Sequence, residues 1–248
     1  MKVGVADYGM NAWTGARFDT EERLARLKQI GHEGLERCGA IGEADALHKA
    51  ARFRRLGMDF ATCRGPDIEA SILWTAGLGK GYVWTDVSGG GGFRHLLPPG
   101  EPSGGALCPL GPARGPAQPP RLADGKPAGA GGVHDALPGV RAYPRHGHLA
   151  AAGGDPVAMA RKYAGRLASV HLKDWVVLRP EVGLERWTER GRFCELGAGR
   201  IGLDNAAVVR PQKAAGYDGW AFVEQNTHLR DAYENRATSR ECLRAAGL

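Results

Sequence analysis

The chain has 248 residues, 43% of them hydrophobic, and a formal net charge of +6 at pH 7. This length suits one α/β barrel or one large domain better than two domains, and the apolar content is sufficient for a core. The charge is a weak argument for nucleic-acid binding, because residues 93–146 alone hold six Lys/Arg and three acidic residues, and the remainder is close to balanced.

Two further classes of protein are disfavoured by the composition. The five cysteines are scattered and form no C-x-x-C pair, so neither a disulfide framework nor a zinc site is expected. No apolar leader segment precedes Lys2, and no apolar run reaches 18 residues. We therefore expect a cytoplasmic protein without a membrane partner.

The first third of the chain alternates strand-like and helical segments. Strands are predicted over residues 2–8, 34–38, 58–62 and 81–87. The first helix follows Asp19, which can cap it, with Glu22 three residues later. The second helix is predicted over residues 43–56, and the third, over 66–78, has proline in its first turn.

Residues 93–146 have a different composition. They contain 11 of the 15 prolines and no isoleucine, and they show neither a helical nor a strand period. Two explanations are open: a flexible linker, or an open reading frame that slips out of register and returns. A selected linker is usually rich in Ser, Glu, Gln and Lys. Pro, Gly, Arg and Ala are instead what a GC-rich gene yields when it is read out of frame, and this favours the slip.

Displacement of the codons by one base supports the same explanation. The codons of residues 143–146 then allow T-L-D-T, which joined to Gly147 gives a strand end, T-L-D-T-G-H-L. Residues 115–121, printed as GPAQPPR, then allow V-L-H-N-H-L-G. A glycine run at 89–92 is the natural place for the slip to begin. We interpret residues 89–146 as an aberrant segment within one domain, frameshifted over about 93–146.

Beyond the aberrant segment the alternation returns. A helix capped by Asp155 is followed by a strand over 169–172, a long loop, a helix over 205–215, a strand over 220–224, and a terminal helix from about Asp231. Six of the eight β/α units of a TIM (β/α)8-type barrel are visible. We predict one α/β TIM-type barrel over 1–248, incomplete or distorted around 93–146, where no regular strand is expected.

Polar side chains cluster where the predicted strands end, which is where such barrels place their reactive groups. The candidates are Glu36, Arg64, Trp84, His171, Lys173 and Glu224. Glu224 ends an apolar run, where burial of a carboxylate costs free energy. The alternatives without a catalytic function are a hydrogen-bonded structural role for His171 and an ion-pair role for Glu36. The tryptophans at 84, 175 and 220 suit either the core or the face of a sugar ring.

Several segments resemble the xylose isomerase-like TIM-barrel superfamily of sugar phosphate isomerases and epimerases, which also contains inosose dehydratase and endonuclease IV. They are KVGVADYGMN near the start with the following GLER, VHLKDW at 170–175, FCELGAGRIGLDN at 193–205 and GYDGWAFVE at 216–224. The resemblance covers residues 1–92 and 147–248.

The resemblance implies one divalent metal, most often manganese, with magnesium, cobalt or zinc as alternatives. It makes His171 and Glu224 metal ligands, with Glu224 also an acid/base. Glu36 and Lys173 are further catalytic candidates in the same cavity. His148 matches the substrate-side histidine of a D-T-G-H motif. The remaining substrate-binding candidates are Arg64, Trp84 and Trp175.

Two departures from the family pattern fall inside the aberrant segment. Arg145 stands about where the aspartate of D-T-G-H belongs, which is a charge reversal beside a cation. Ala117-Gln118-Pro119 replaces the H-N-H ligand cluster. The displaced frame restores both. We therefore expect metal binding to be weakened in the chain as printed.

The resulting functional hypothesis is metal-assisted proton transfer on a sugar or cyclitol, by an isomerase, epimerase or dehydratase whose activity is impaired in this chain. One alternative is a catalytically dead remnant or a binding protein. The other is an endonuclease IV-like DNA-repair enzyme, which needs more ligands and a positive groove. The expected partner is a small-molecule sugar or cyclitol and not a nucleic acid, and a homo-oligomer is compatible with this hypothesis.

Overall fold

The computed structural model describes residues 1–6, 19–85, 113–116, 146–151, 153–164, 167–199, 201, 203–226 and 230–248. The strands of these residues are β1 (Lys2–Ala6), β2 (Gly34–Gly39), β3 (Asp59–Arg64), β4 (Tyr82–Thr85), β5 (Ala113–Pro116), β6 (Ser169–Leu172), β7 (Asp174–Val177), β8 (Gly191–Cys194) and β9 (Trp220–Glu224).

The helices are α1 (Thr20–Ile30), α2 (Glu43–Arg55), α3 (Ile68–Gly77), α4 (His146–Ala151), α5 (Pro156–Lys162), α6 (Trp187–Arg190), α7 (Asn205–Ala214) and α8 (Ala232–Ala245). A 3-10 turn at Leu184–Arg186 precedes α6. None of the helices in these ranges is both long and apolar enough to span a membrane.

Five parallel strands form one sheet in the order β3-β2-β1-β9-β6. The first strand lies in its centre, with Val5 opposite Leu35 of β2 on one side and Val223 of β9 on the other. β4 lies beside β3 and pairs in parallel with β5, whereas β7 and β8 pair antiparallel. Parallel neighbours with helical crossovers give an α/β fold, and they bring the carboxyl ends of the strands to one edge.

The helices follow from local capping and from apolar faces. Asp19 caps α1 as predicted, because its Oδ1 accepts hydrogen bonds from the backbone N–H groups of Glu21 at 2.7 Å and Glu22 at 3.1 Å. Leu24 and Leu27 of α1 are then completely buried. Asp155 caps α5 in the same way, as the sequence predicts, and Asp231, the predicted start of the terminal helix, caps α8.

The helices cover the sheet with two apolar layers. One layer joins β2 and β3 to α1 and α2, and the other joins β6 and β9 to α5, α7 and α8. A smaller cluster contains Trp220 and Phe222, whose rings stack with their centroids 5.2 Å apart. Trp220 is therefore a core residue, as favoured from the sequence.

The structure corrects four predictions. α3 begins after Asp67, whose carboxylate caps it, so Pro66 precedes the helix and does not lie in its first turn. The long loop predicted between β6 and α7 contains the β7–β8 pair and α6. Gly147 and His148 lie in α4 and not at a strand end. Hydrophobic periodicity did not predict these elements, because each is short and depends on contacts with neighbouring elements.

The fourth correction concerns the aberrant segment. Residues 113–116 form β5, so the prediction of no regular strand over 93–146 is wrong at these four positions. β4 supplies the hydrogen-bonding edge that the segment itself does not encode, and Pro116 stands opposite Thr85 at the last register position, where a missing N–H is tolerated. The rest of residues 93–145, with the predicted strand residues 7–8 and 86–87, lies outside the described ranges.

Candidate active site

Three strands of the sheet bring together the polar candidates His171, Glu36 and Glu224. Nδ1 of His171 on β6 lies 2.6 Å from Oε2 of Glu224 on β9, and its Nε2 lies 2.8 Å from Oε1 of Glu36 on β2. All three side chains are at most 4% exposed. The strand ends therefore converge as the sequence predicts, and the imidazole bridges two carboxylates.

The bridge determines the charge of His171. An imidazole that faces a carboxylate oxygen through each nitrogen is best satisfied as an imidazolium that donates both hydrogen bonds. Burial acts to lower the pKa of His171, but the charges and hydrogen bonds of Glu36 and Glu224 outweigh it, so the pKa is raised. The ring also meets the edge of Phe222, with ring centroids 5.6 Å apart.

Lys173 completes the cluster from the position just after β6. Its Nζ, fully buried, lies 2.8 Å from Oε1 of Glu224 and donates to Oδ1 of Asn226 at 2.7 Å. The imidazolium and the ammonium balance the two carboxylates, which is what allows four ionisable groups to be buried together. Arg37 stands near the outer oxygen of Glu36, with its Nε at 4.0 Å.

Sequence reasoning missed Asn226 and Tyr82. Asn226 follows β9 by two positions, so strand alternation from Glu224 was the signal that could have found it. The Tyr82 side chain is buried on β4, and burial first, then the charge of Glu36, raises its pKa well above the usual value. No signal in the sequence distinguishes Tyr82 from a core aromatic residue.

Asp174 holds a loop beside this cluster. Its carboxylate accepts hydrogen bonds from the backbone N–H groups of Trp175 at 2.8 Å and Gly197 at 2.9 Å. A Cβ on Gly199 would lie 1.8 Å from Oδ1 of Asp174, so only glycine fits there. Burial raises the pKa of Asp174 in spite of these hydrogen bonds. The aspartate of VHLKDW thus shapes the glycine-containing ELGAG loop.

An aromatic cluster adjoins Lys173. Trp175 and Phe193 lie edge to face with centroids 4.7 Å apart, Trp187 packs against both, and the His148 ring lies 4.7 Å from Phe193. The Lys173 ammonium stands 4.2 Å from the centroid of Phe193. Two predicted substrate-side residues, His148 and Trp175, therefore lie next to the charged cluster, and Trp187 is a third that the sequence did not indicate.

Gly147 explains how α4 reaches this position. A Cβ on Gly147 would lie 2.4 Å from Cβ of Lys173, so the helix backbone approaches the end of β6 as closely as a glycine permits. His146, the preceding residue, is buried near the backbone of His171, and burial lowers its pKa to about 4. The short helix after the aberrant segment is therefore packed onto the site.

Two other candidates lie apart from the charged cluster. Arg64 ends β3 with an exposed side chain. Trp84 lies on β4 after Val83, which is buried, but the Trp84 side chain is outside the described residues. Their predicted substrate contacts stay predictions.

The donors present do not fit the expected metal site. Within the ranges that the structure describes, no group of three His, Cys, Asp or Glu side chains is arranged to hold a metal ion. The reason is visible in the cluster: both nitrogens of His171 face carboxylates, and one oxygen of Glu224 contacts the Lys173 ammonium. A metal ligand needs an available lone pair, and an imidazolium has none.

Solved structures with the same architecture include a sugar phosphate isomerase/epimerase from Parabacteroides distasonis ATCC 8503, 16% identical, which aligns over 99% of this chain and 94% of its own with a TM-score of 0.63. An L-ribulose 3-epimerase is 15% identical with the same coverage and TM-score. A xylose isomerase-like TIM barrel protein from Mycobacterium smegmatis, in complex with magnesium, is 14% identical over 91% of this chain and 87% of its own, with a TM-score of 0.55. The chain has a xylose isomerase-like TIM-barrel fold. The predicted fold class is confirmed.

Among curated proteins, the inosose dehydratase of Bacillus cereus (strain AH820) is 31% identical over 111 residues. This match covers 41% of the chain but only 37% of the dehydratase, so the chain matches well under half the length of that relative. No protein-family model matches the chain. The proteins that this chain resembles thus include a sugar phosphate isomerase/epimerase, an L-ribulose 3-epimerase and an inosose dehydratase.

Proposed function

We propose that this chain derives from a sugar or cyclitol isomerase, epimerase or dehydratase that moves a proton at the carbon next to a carbonyl group, and that the activity is impaired in the chain as printed. The observation that carries the proposal is the buried cluster of Glu36, His171, Lys173 and Glu224 at the strand ends. Buried ionisable groups in contact with one another at such positions are typical of acid/base sites.

Each member of the cluster has a role in this proposal. Glu224 and Glu36 flank His171 from opposite sides, so either carboxylate is a candidate to take a proton from a substrate carbon, while the imidazolium between them stabilises the charge of the other. The Lys173 ammonium, fixed by Glu224 and Asn226, is placed to stabilise negative charge that develops on a substrate oxygen. These assignments rest on geometry and on general acid/base chemistry.

The substrate side of the proposal rests on the aromatic cluster. Trp175, Phe193 and Trp187 offer ring faces and edges beside Lys173, and His148 adds a polar group among them. Apolar ring faces next to a few polar groups suit the face of a sugar or cyclitol ring. Arg64 and Trp84, from neighbouring strand ends, are proposed as outer substrate contacts.

The impairment follows from the donor set. The family resemblance calls for ligands at positions where this chain has Arg145 and Ala117-Gln118-Pro119, and the described donors are paired with one another. Hard divalent cations such as manganese dehydrate reluctantly for only one or two ligands. We therefore propose weak manganese binding and little turnover, and we assign no reaction step to a metal.

A second candidate is a non-catalytic binding protein. The observation that favours it is that the charges within the cluster balance, since each carboxylate already has a cationic partner. The charge balance outside residues 93–146 gives no support to the DNA-repair alternative. A cytoplasmic location and a homo-oligomeric state stay predictions of the sequence.

The test compares two proteins: the chain as printed, and a frame-restored version with one base removed near Gly92 and one returned near His146. Melting temperature is measured for both with and without manganese chloride. The restored protein should show a large upward shift, since a ligand at 100 times its Kd stabilises the native state by about 2.7 kcal/mol. The printed chain should show little shift.

The same two proteins are assayed for epimerisation of L-ribulose and for dehydration of an inosose, the substrates named for the relatives. Activity is expected only in the restored protein with manganese. Glu224→Gln in the restored protein should remove both the manganese shift and the activity. A strong increase of the melting temperature with manganese in the printed chain would contradict the proposed impairment. If neither protein shows a manganese-dependent shift or activity, the proposed function is contradicted.

A further inference from the structure

Two cysteines that are far apart in the sequence are neighbours across β2 and β3. Cys38 and Cys63 are register partners of this parallel pair, although the sequence separates them by a whole helix. Their side chains are 2% and 1% exposed, and both are free thiols. Adjacent strands lie about 4.8 Å apart, and this falls within the range of about 4.4–6.8 Å between Cα atoms that a disulfide spans.

The two thiols influence each other's protonation. The neighbouring Cys63 thiol and burial raise the pKa of Cys38, whereas the Cys38 thiol lowers the pKa of Cys63 in spite of burial. The Lys49 ammonium, which donates to the carbonyl oxygen of Gly39 at 2.8 Å, adds positive charge near both. Cys63 is therefore the better nucleophile of the pair, and Cys38 holds the proton.

The buried pair lies next to exposed residues at the ends of both strands. Gly39 and Arg64, the residues directly after Cys38 and Cys63, are exposed and end their strands. No atom lies within 4 Å of the place where a Cβ on Gly39 would stand, so this strand end is open on the face opposite the Cys38 side chain. Peroxide, which is hardly larger than water, would reach the sulfur atoms past these exposed strand ends.

We propose that Cys38 and Cys63 form a peroxide-sensitive dithiol that closes to a disulfide between β2 and β3. The Cys63 thiolate attacks one oxygen of hydrogen peroxide, the O–O bond breaks, and Cys63 becomes a sulfenic acid while hydroxide leaves. The Cys38 sulfur then attacks the Cys63 sulfur, and the oxygen leaves as water with the Cys38 proton. Two thiols lose two electrons and two protons, and one peroxide is reduced to two waters. The hydroxide takes up the proton that Cys63 released.

The disulfide would tie the strand that carries Glu36 to its neighbour. Glu36 stands two residues before Cys38 on β2, so it points from the same strand towards the charged cluster. The cross-link would thus restrain the strand that positions Glu36. This inference rests on strand register and on the burial of both thiols, and it does not depend on the proposed function.

The experiment uses the whole chain, reduced and then exposed to graded hydrogen peroxide while folded. Samples are alkylated, digested with trypsin and analysed by mass spectrometry. Trypsin places Cys38 in the peptide 38–49 and Cys63 in the peptide 56–64, so the disulfide joins two distinct peptides. We expect this cross-linked species, lighter by two hydrogen atoms, to form at lower peroxide than any change at Cys194 or Cys242, and to disappear on reduction.

The other cysteines make the result decisive. Cys242 is more exposed than either member of the pair, so exposure alone predicts that it reacts first. Earlier modification of Cys242 or Cys194, or conversion of Cys38 and Cys63 to separate sulfinic acids, would overturn the proposal. So would a pair that stays reduced until urea is added.

Variants provide the matched comparison. Cys63→Ser should abolish the cross-link and leave Cys38 reduced at the same peroxide concentration, whereas Cys242→Ser should leave the yield of cross-link unchanged. If Cys63→Ser does not fold, the peptide map of the unaltered chain still decides the question. A cross-link that persists in Cys63→Ser, with Cys38 joined to another cysteine, would contradict the assignment.

Discussion

The five-stranded sheet and β5 differ in how far their own sequences encode a strand. β9 is buried at all five positions and β6 at all four, and their neighbours on β1 are buried at four positions of five. Between β4 and α4 the described chain is the four-residue β5, with the sequence ARGP. The first region carries its own strand signal, whereas β5 depends on the edge that β4 offers.

The charged cluster belongs to the first region. Glu36, His171 and Glu224 come from β2, β6 and β9, and Lys173 follows β6 directly. The second region contributes to the site through α4, at its boundary, where Gly147 contacts Lys173. The ionisable groups of the cluster therefore come from the strands of the sheet, whereas the positions at which the family resemblance predicts further metal ligands lie in the segment between β4 and α4.

The largest expected effect is the loss of stability when one carboxylate is removed from the charged cluster of the five-stranded sheet. Glu224→Gln leaves the His171 and Lys173 cations buried without one of their two carboxylates. Removing one partner of a buried ion pair costs about 3–5 kcal/mol, so urea unfolding should show a loss of that size. Glu234→Gln on the exposed face of α8 is the matched control and should change the free energy of unfolding by less than about 0.5 kcal/mol. A small effect of Glu224→Gln would mean that the cluster is not assembled.

A smaller effect tests whether α4 really docks on the sheet. Gly147→Ala adds a Cβ that would lie 2.4 Å from Cβ of Lys173, so backbone or lysine must shift. Overpacking of this kind costs about 1–3 kcal/mol, measurable by urea unfolding. Gly77→Ala in α3 is the control, since no atom lies within 4 Å of its added Cβ. That variant should be neutral or stabilised by up to about 1 kcal/mol, because alanine is the better helix residue. Equal behaviour of the two variants would place α4 away from Lys173.

The effect that is smallest per pH unit tests the packing of the two regions through the pH dependence of stability. Burial, then the charge of Arg236, lowers the pKa of His32 to about 3, and burial lowers that of His146 to about 4. In the unfolded chain both titrate near 6.5, so below that pH the unfolded state binds protons that the native state refuses. The free energy of unfolding should therefore fall as pH decreases below about 6.5, by up to about 1.4 kcal/mol per pH unit for each histidine.

Three variants show which region contributes to this dependence of the free energy of unfolding on pH. His32→Gln should flatten it by removing the contribution of the first region, and His146→Gln should do the same at the boundary of the second. His48→Gln, on the exposed face of α2, should leave it unchanged. Urea unfolding at several pH values between 4 and 7 measures all three. If only His32→Gln flattens the slope, the residues around α4 pack less tightly than those of the sheet.

The sequence predicted the parts of this molecule that depend on local chemistry. The strands at Ser169–Leu172 and Trp220–Glu224 have the predicted bounds, because continuous apolar runs of that length suit strands buried on both faces. The convergence of His171, Glu36 and Glu224 was predictable from one rule, that parallel strands end at a common edge. Their roles in binding and catalysis remain proposals.

What the sequence did not predict depends on tertiary partners. The sequence ARGP has no pattern that predicts β5, because this strand depends on its hydrogen bonds to β4. Nothing in VHLKDW says that both nitrogens of His171 are taken by carboxylates from two other strands, or that Asn226 shares Lys173 with Glu224. These distances decide whether the donors suit a metal, and they are properties of the assembled barrel.

The place of β1 in the centre of the sheet has a consequence for how the protein forms. β1 pairs with β9, more than 200 positions further along the chain, as well as with β2. On a ribosome the first strand must therefore wait, with one edge unpaired, until almost all the described chain has been made. Such long-range pairing slows folding, and an unpaired apolar edge is a template for aggregation. Expression yield should thus depend strongly on chaperones and on the rate of synthesis, even for variants whose final stability is unchanged.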